Sequence, residues 1–348
     1  MMKTNKMLQE EKILLSQSML VMISQSSPSI VSRAFAKLHF KRQEAGSRRK
    51  YNFFHSRRVL SEIVGKKYLI NKKIQVFSNV KGGSGKTSLC HQICVHMALL
   101  GYKVLAIDCD PQANLTRAFG LNELDAKYTL YDILTNNLNV EDCIIGLYNG
   151  LDIIPSDISL TRLESVLVST SYQEKGVYKV FQNLKKKYDF IFLDSSSTIN
   201  SLNRSVICHS DNVNIVCETQ LPSLKGLNIL IEEIHSYQKY TEAKNFYRII
   251  ANKYESETGV SQEVLGSLNC DHRDTLIKAV VRKSEDIKQS LKRRLPVCAF
   301  AKKSSHAIED LCDLSLAVLE VSSIKRKNLI KHKSVPLIKK SSLRSEAS

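Results

Sequence analysis

The chain has 348 residues, 43% of them hydrophobic, enough to bury the core of one large domain with additions. No apolar run is long enough to span a bilayer, and the nine scattered cysteines contain no C-x-x-C pair, which excludes zinc-ribbon and dithiol redox spacing. The net charge of +17 sits at the ends: residues 1–73 hold 16 Lys/Arg against 4 Asp/Glu, residues 323–348 hold 8 against 1, and the middle holds 27 against 29. Basic ends on a near-neutral middle point to a polyanion, either nucleic acid or an anionic membrane, with solvated tails as the plainer alternative.

In chain order, residues 1–73 read as a basic, largely helical region. Residues 13–23 imitate a signal core, but Glu10 and Glu11 interrupt the basic leader and no A-x-A site follows, so an amphipathic helix is expected there. From Ile74 onward short apolar runs alternate with helical stretches. "IQVFSN" (74–79), "KVLAID" (103–108), "LDIIPS" (151–156), "YDFIFLD" (188–194), "NVNIVCET" (212–219), "YRIIANK" (247–253) and "IKAVVRK" (277–283) are the strand candidates. Runs that do not alternate with polar residues predict strands covered on both faces, hence a doubly wound α/β domain with a mostly parallel sheet over 74–322. Ligands of such sheets bind at the carboxyl ends of the strands. The last residues, 323–348, read as a basic mobile tail.

The loop "KGGSGKT" follows the first strand candidate and precedes a helical stretch that Gly101 can end. Its end fits the phosphate-loop pattern G-x-x-x-x-G-K-[ST] through Gly85, Lys86 and Thr87, but Val80 stands where the first glycine belongs and Lys81 follows it. Such a loop turns backbone N–H groups toward phosphate at a helix N-terminus. Lys86 is expected at the β/γ-phosphates and the Thr87 hydroxyl on Mg²⁺. Asp194 ends a hydrophobic strand in the Walker-B manner, and Asp108 and Asp110 stand two apart at another strand end. A simple strand cap is the bland reading of each acid.

"KGGSGKT", "DCDPQANLT" and Asp194, in that order, resemble the ParA/MinD group of deviant Walker-A ATPases, and ParA partition ATPases most of all. The resemblance runs from about Ile74 to about Leu319 and includes "LPSLKGLNIL" and "ANKYES". It implies that Gly82, Gly83, Ser84, Gly85, Lys86, Thr87 and Ser88 bind the phosphates of ATP, and that Thr87 and Asp194 hold Mg²⁺. It implies that Asp110 positions the hydrolytic water with Asp108 in support, and that Asn252 lies near the adenine. Lys81 matches the signature lysine, which reaches across an ATP-bound homodimer to the partner's phosphates; a lysine serving only its own nucleotide is the alternative. One departure is visible: the family's prolines after the Walker-B acid are replaced by Ser196 and Ser197, which puts the switch segment and the hydrolysis rate in question.

The resemblance further implies nonspecific DNA binding in the ATP state, a ParB-like activator, and a place in the cytoplasm on nucleoid DNA. The DNA contact is expected from Arg282, Lys283, Arg293 and Arg294. Residues 26–63 resemble a degraded winged helix-turn-helix of the MerR type, as in longer plasmid ParA proteins, with Arg48, Arg49, Lys50, Arg57 and Arg58 facing DNA backbone. Two other functions stay open: a nucleotide-controlled repressor with negligible turnover, and a MinD-like membrane-surface ATPase anchored by the tail. Pro336 and a thin apolar face argue against the latter.

Overall fold

A computed structural model describes residues 12–40, 50–64, 68–136, 138–163, 172–198, 200–241 and 246–325. The chain opens with a small unit: β1 (Leu15–Ser16), α1 (Gln17–Ser24), α2 (Pro28–Lys37), β2 (Lys50–Tyr51) and α3 (Phe53–Ile63). Local chemistry sets its boundaries. Ser16 Oγ accepts from Met19 N at 3.2 Å at the start of α1, Pro28 opens α2 where its missing N–H costs nothing, and Asn52 Oδ1 accepts from His55 N at 3.0 Å to start α3. Gln25 turns the chain between α1 and α2 in the left-handed region at φ 46°. β1 and β2 pair antiparallel, so the unit is a helix-turn-helix beside a two-stranded ribbon.

The remaining elements are β3 (Tyr68–Ile70), β4 (Ile74–Ser78), α4 (Lys86–Leu99), β5 (Val104–Cys109), α5 (Asn114–Ala118), α6 (Leu130–Thr135), β6 (Ile145–Tyr148), β7 (Leu151–Ile154), α7 (Tyr172–Leu184), β8 (Phe190–Ser195), α8 (Ser201–His209), β9 (Asn212–Glu218), α9 (Leu221–Thr241), β10 (Phe246–Asn252), α10 (Gly259–Asp271), α11 (Glu285–Arg293), α12 (Val297–Phe300), α13 (His306–Val321) and β11 (Ser323–Lys325). A seven-stranded sheet runs β10-β9-β4-β8-β5-β7-β6. All its neighbours are parallel except the edge pair β6–β7. β4, β5, β8 and β9 are buried at every position, which accounts for their unbroken apolar sequences. One face of the sheet carries α4, α13 and the N-terminal unit; the other carries α6, α7, α8, α9 and α10. The fold is the doubly wound α/β architecture expected of the sequence.

α4 is buried almost all round, so its sequence lacks the polar stripe of a surface helix. Its polar residues are matched by neighbours: Gln92 bonds Ser290 Oγ at 3.2 Å and accepts from Val297 N at 3.0 Å, and His96 Nδ1 meets Ser315 Oγ at 2.8 Å. Gly101 closes the helix at φ 103°, with Tyr102 N donating to Met97 O at 3.1 Å, a Schellman-type stop.

Several expectations from the sequence are corrected here. The N-terminal unit, read from the sequence only as a basic helical region, shares its core with the sheet domain: Ile13, Leu20, Val31, Phe53 and Leu60 pack in the same cluster as Cys94, Leu99, Leu311 and Val318. The basic end is not tail throughout, because Ser323–Lys325 pairs antiparallel with Tyr68–Ile70; residues 326–348 lie outside the described residues. The strand expected over 277–283 forms only isolated bridges, Ile249 with Leu276 and Tyr254 with Arg282. Lys253 stands at φ 55° on the facing segment and turns it out of register, and the Arg282 N–H goes to Asp310 Oδ2 at 2.9 Å instead of a strand. Arg57, expected against DNA, is turned inward. Its guanidinium donates to the carbonyls of Ala98, Gly101 and Tyr102 and to Asn149 Oδ1, a cation on the C-terminal end of α4. Burial lowers its pKa despite the nearby Asp189.

Candidate nucleotide site

The carboxyl ends of β4, β5, β8, β9 and β10 open on one side of the sheet, and the residues after them converge. A cavity of about 910 Å³ is lined by Gly83, Gly85, Lys86, Thr87, Ser88, Asp110, Ser197, Asn252 and Lys253. The loop between β4 and α4 supplies its floor. Gly85 stands at φ 98° directly under Asn252, and a Cβ there would lie 2.3 Å from Asn252 Nδ2. Asn252 Nδ2 donates to Ser84 O at 2.7 Å, so the end of β10 fastens the loop. Asn252 thus holds the phosphate loop itself. Ser84 is fully buried, and its hydroxyl has no hydrogen-bond partner.

The parallel register sets Asp108 beside Asp194. Asp108 is committed to structure: it accepts from Thr116 N at 2.8 Å, Thr116 Oγ1 at 2.7 Å and Asp110 N at 3.1 Å. Burial pushes its carboxyl up to about 6 against those bonds. It thereby shapes the turn that presents Asp110, whose Oδ1 accepts from Gln112 N at 2.9 Å. Asp194 is different. It is fully buried and neither carboxylate oxygen has a hydrogen-bond partner. Burial raises its pKa well above the usual carboxylate range, and the charge of Asp108 adds to this. The Thr87 hydroxyl and the charge of Lys86 pull the other way. Burial lowers the pKa of Lys86, which Asp194 and Asp110 partly offset.

An orphaned buried carboxylate beside a threonine hydroxyl at a phosphate loop is a hard-oxygen donor set, which suits Mg²⁺. The residues present therefore fit a magnesium nucleotide, with Thr87 and Asp194 as the protein donors. Ser196 and Ser197 follow β8 where prolines were expected. The turn is held by hydrogen bonds instead: Asn203 Nδ2 donates to Ser196 Oγ at 2.9 Å, and Ser195 Oγ donates to Phe77 O at 2.9 Å.

Lys81 does not line the cavity. Its ammonium bonds Glu218 Oε2 at 2.5 Å, Gln220 Oε1 at 3.1 Å and Ser223 Oγ at 3.3 Å. Glu218 and Lys253 are site residues that sequence reasoning missed; the one signal was an acid ending the buried strand "NVNIVCE".

The segment expected to touch DNA divides in two. Arg282 and Lys283 line the nucleotide cavity with the first turns of α11. Arg282 is held by Asp310, its Nε 3.0 Å from both carboxylate oxygens, and by Glu309 at 2.9 Å; the Asp310 hydrogen bonds raise its pKa. Lys283 pairs with Glu255 at 3.1 Å. Lys292, Arg293 and Arg294 stay exposed at the far end of α11, with Arg293 over the Phe300 ring at 4.7 Å and Arg294 NH1 on Asn122 Oδ1 at 3.0 Å. In the N-terminal unit Arg58 is exposed over Phe40 and Phe54 at 5.2 and 5.8 Å. Arg48 and Arg49 lie outside the described residues.

A family model for an AAA domain, AAA_31, matches residues 72–246, half of the chain. The sporulation initiation inhibitor protein Soj of Bacillus subtilis strain 168 is 27% identical over 237 residues, covering 68% of this chain and 94% of Soj. The chromosome-partitioning ATPase Soj of Treponema pallidum is 26% identical over 230 residues, covering 66% and 90%. The chain is a ParA-family ATPase of the AAA_31 group. Solved structures agree with the ParA-family fold. A Borrelia burgdorferi B31 plasmid partition protein bound to AMPPNP superposes with a TM-score of 0.61 at 20% identity, over 72% of this chain and all of that one. The ATP complex of a Cyanothece McdA variant gives 0.64 at 20% identity, over 70% and 96%. Both leave more than a quarter of this ParA-family chain unmatched. Among its described residues no helix is long and apolar enough to cross a membrane.

Proposed function

We propose that this chain is a DNA partition ATPase. ATP with Mg²⁺ occupies the cavity, two chains close over their nucleotides, and the paired state binds DNA without sequence preference. Mg²⁺ would neutralise the β/γ-phosphates from Thr87 and Asp194. Lys86 contributes charge from within the chain, and Asp110 orients the attacking water. Lys81 contributes from the opposite chain, where a second cation offsets charge on the transferred phosphoryl group. A ParB-like partner stimulates slow hydrolysis and thereby releases the DNA. The observation that carries this reading is the direction of Lys81: a lysine of the phosphate loop whose ammonium lies outside its own cavity, on Glu218, Gln220 and Ser223.

The DNA contact in this reading is the exposed group Lys292, Arg293 and Arg294, since Arg282 is bound to Asp310. A second reading rests on a different observation. The helix-turn-helix of α1 and α2 exposes Ser29, Ser32, Arg33 and Lys37, a face suited to a DNA groove, so the chain also acts as a nucleotide-controlled repressor of its own operon. The tail-anchored membrane reading falls mainly on residues 326–348, outside the described ones; liposome co-sedimentation with and without those residues tests it.

The deciding experiment is DNA binding by wild type and Lys81→Ala with ATP, ADP and no nucleotide across a salt series. The partition reading expects only the ATP-bound wild type to bind random DNA. Equal binding by both proteins whatever the nucleotide would overturn it and leave DNA binding to the basic ends alone, without an ATP switch.

A further inference from the structure

Glu218 ends β9 with its side chain only 6% exposed, and it divides its carboxylate between two lysines. Oε2 takes the Lys81 ammonium at 2.5 Å. Oε1 takes the Lys253 ammonium at 2.5 Å, and the same ammonium donates to Gly83 O at 2.6 Å. Burial alone would raise the Glu218 carboxyl, yet the two lysines together hold it below the usual range. Lys253 reaches this position from a left-handed backbone at φ 55°, a conformation that an L-residue keeps only where its surroundings impose it. Lys81, the carboxylate, Lys253 and the phosphate-loop backbone therefore form one chain of charge-assisted hydrogen bonds.

The arrangement has a chemical consequence. An ammonium bound to a mostly buried carboxylate gives up a strong hydrogen bond when it leaves, so phosphate oxygens can claim Lys81 only by outcompeting Glu218. Lys253 lessens that hold, because it draws on the same carboxylate, and it connects the carboxylate to the backbone of the phosphate loop.

We propose that Glu218 is a positioning residue for Lys81: it parks the lysine clear of its own nucleotide cavity in the single chain and so sets how much ATP is needed before two chains close. This rests on the reading that Lys81 acts across the pair. A chain with a neutral residue at 218 would close at lower ATP, because Lys81 would be free to reach a partner at once. Gln220 and Ser223 supply only neutral acceptors and hold the lysine less strongly.

The test uses the full chain. The ATP concentration giving half-maximal pairing is followed by sedimentation velocity for wild type, Glu218→Gln, Gln220→Ala and Lys81→Ala. Affinity for a fluorescent ATP analogue is measured separately in a Lys81→Ala background, where no pairing is expected, so that an altered cavity is not mistaken for an altered threshold. The expected result is a half-point about tenfold lower for Glu218→Gln, a smaller shift in the same direction for Gln220→Ala, and unchanged analogue affinity with or without Glu218→Gln. Gln220 is exposed, so its variant keeps the test valid if the buried substitution fails to fold. An unchanged or higher half-point in Glu218→Gln or, where that variant does not fold, in Gln220→Ala, with wild type pairing in ATP and Lys81→Ala not, overturns the Glu218 role alone. Pairing by Lys81→Ala equal to wild type overturns the reading on which it rests, and the proposal with it.

Discussion

Replacing Gly101 with alanine tests the junction between the N-terminal unit and the ATPase sheet. Gly101 stands at φ 103°, where an added Cβ would lie 2.4 Å from Ser61 Oγ, 2.6 Å from Ser61 Cβ and 3.1 Å from Ser61 Cα. Two costs follow. An L-residue in the left-handed region loses about 1–2 kcal/mol, and forcing a methyl group into packed surroundings costs about 1–3 kcal/mol. Their sum centres on about 3.5 kcal/mol, most of which should appear in urea unfolding followed by circular dichroism. The two parts separate in a double-mutant cycle with Ser61→Gly. That change removes the Oγ and Cβ contacts but leaves the backbone strain, and its own helix-propensity cost cancels within the cycle. A favourable coupling of about 1–2 kcal/mol is expected. A loss below about 0.5 kcal/mol for Gly101→Ala, or no coupling to Ser61, would refute the seating of α3 on this turn.

Asp110→Ala is expected to lower phosphate release by about a hundredfold while nucleotide still binds, which turnover and analogue titration check together. The triple change Lys292→Ala, Arg293→Ala and Arg294→Ala should make the slope of log K for DNA against log salt shallower by about 2.7, from three lost phosphate contacts; an unchanged slope moves the contact elsewhere. Acid sensitivity has a traceable source in α4. Burial lowers the pKa of His91 to about 3 and of His96 to about 4, so both stay neutral in the fold. The unfolded chain takes up protons first as pH falls below about 6.5, and stability is lost from there down toward the folded values, at about 1.4 kcal/mol per pH unit for each histidine. Asp108, raised to about 6 by burial, and Asp194 oppose this, because the folded state binds their protons first. The decisive comparison is therefore between wild type and His91→Leu: the wild-type melting temperature should fall relative to the variant's as pH drops from 7 to 5, and parallel curves would count against a neutral buried His91.

The sheet was legible because its strands are covered on both faces, and "IQVFS" and "FIFLD" carry that fact in their composition. The phosphate loop was legible because its geometry demands glycine and lysine at fixed spacing. Asp108, Asp110 and Asp194 were singled out for a similar reason, since a strand end limits where an acid can point. Arg57 was misread because a basic residue in a basic stretch carries no mark of direction; the carbonyls that claim it come from Ala98 to Tyr102, more than forty positions away. Glu218 and Lys253 escaped notice because each alone is an ordinary charged residue, and their meaning lies in a contact made only after β9 and β10 pair. Arg282 is the intermediate case: its neighbourhood was identified, but its partner Asp310 belongs to a helix that follows much later.

The helix that begins in the phosphate loop ends beneath Arg57, and it has 14 residues, about 21 Å at 1.5 Å per residue. A lever of that length turns a tilt of about 3° at the loop into a displacement of about 1 Å at the other end. Arg57 binds that end through the carbonyls of Ala98, Gly101 and Tyr102, so a tilt of α4 at the loop would be felt by α3. In the proposed closed pair, the seating of each nucleotide would then bear on how far apart the two helix-turn-helix faces lie.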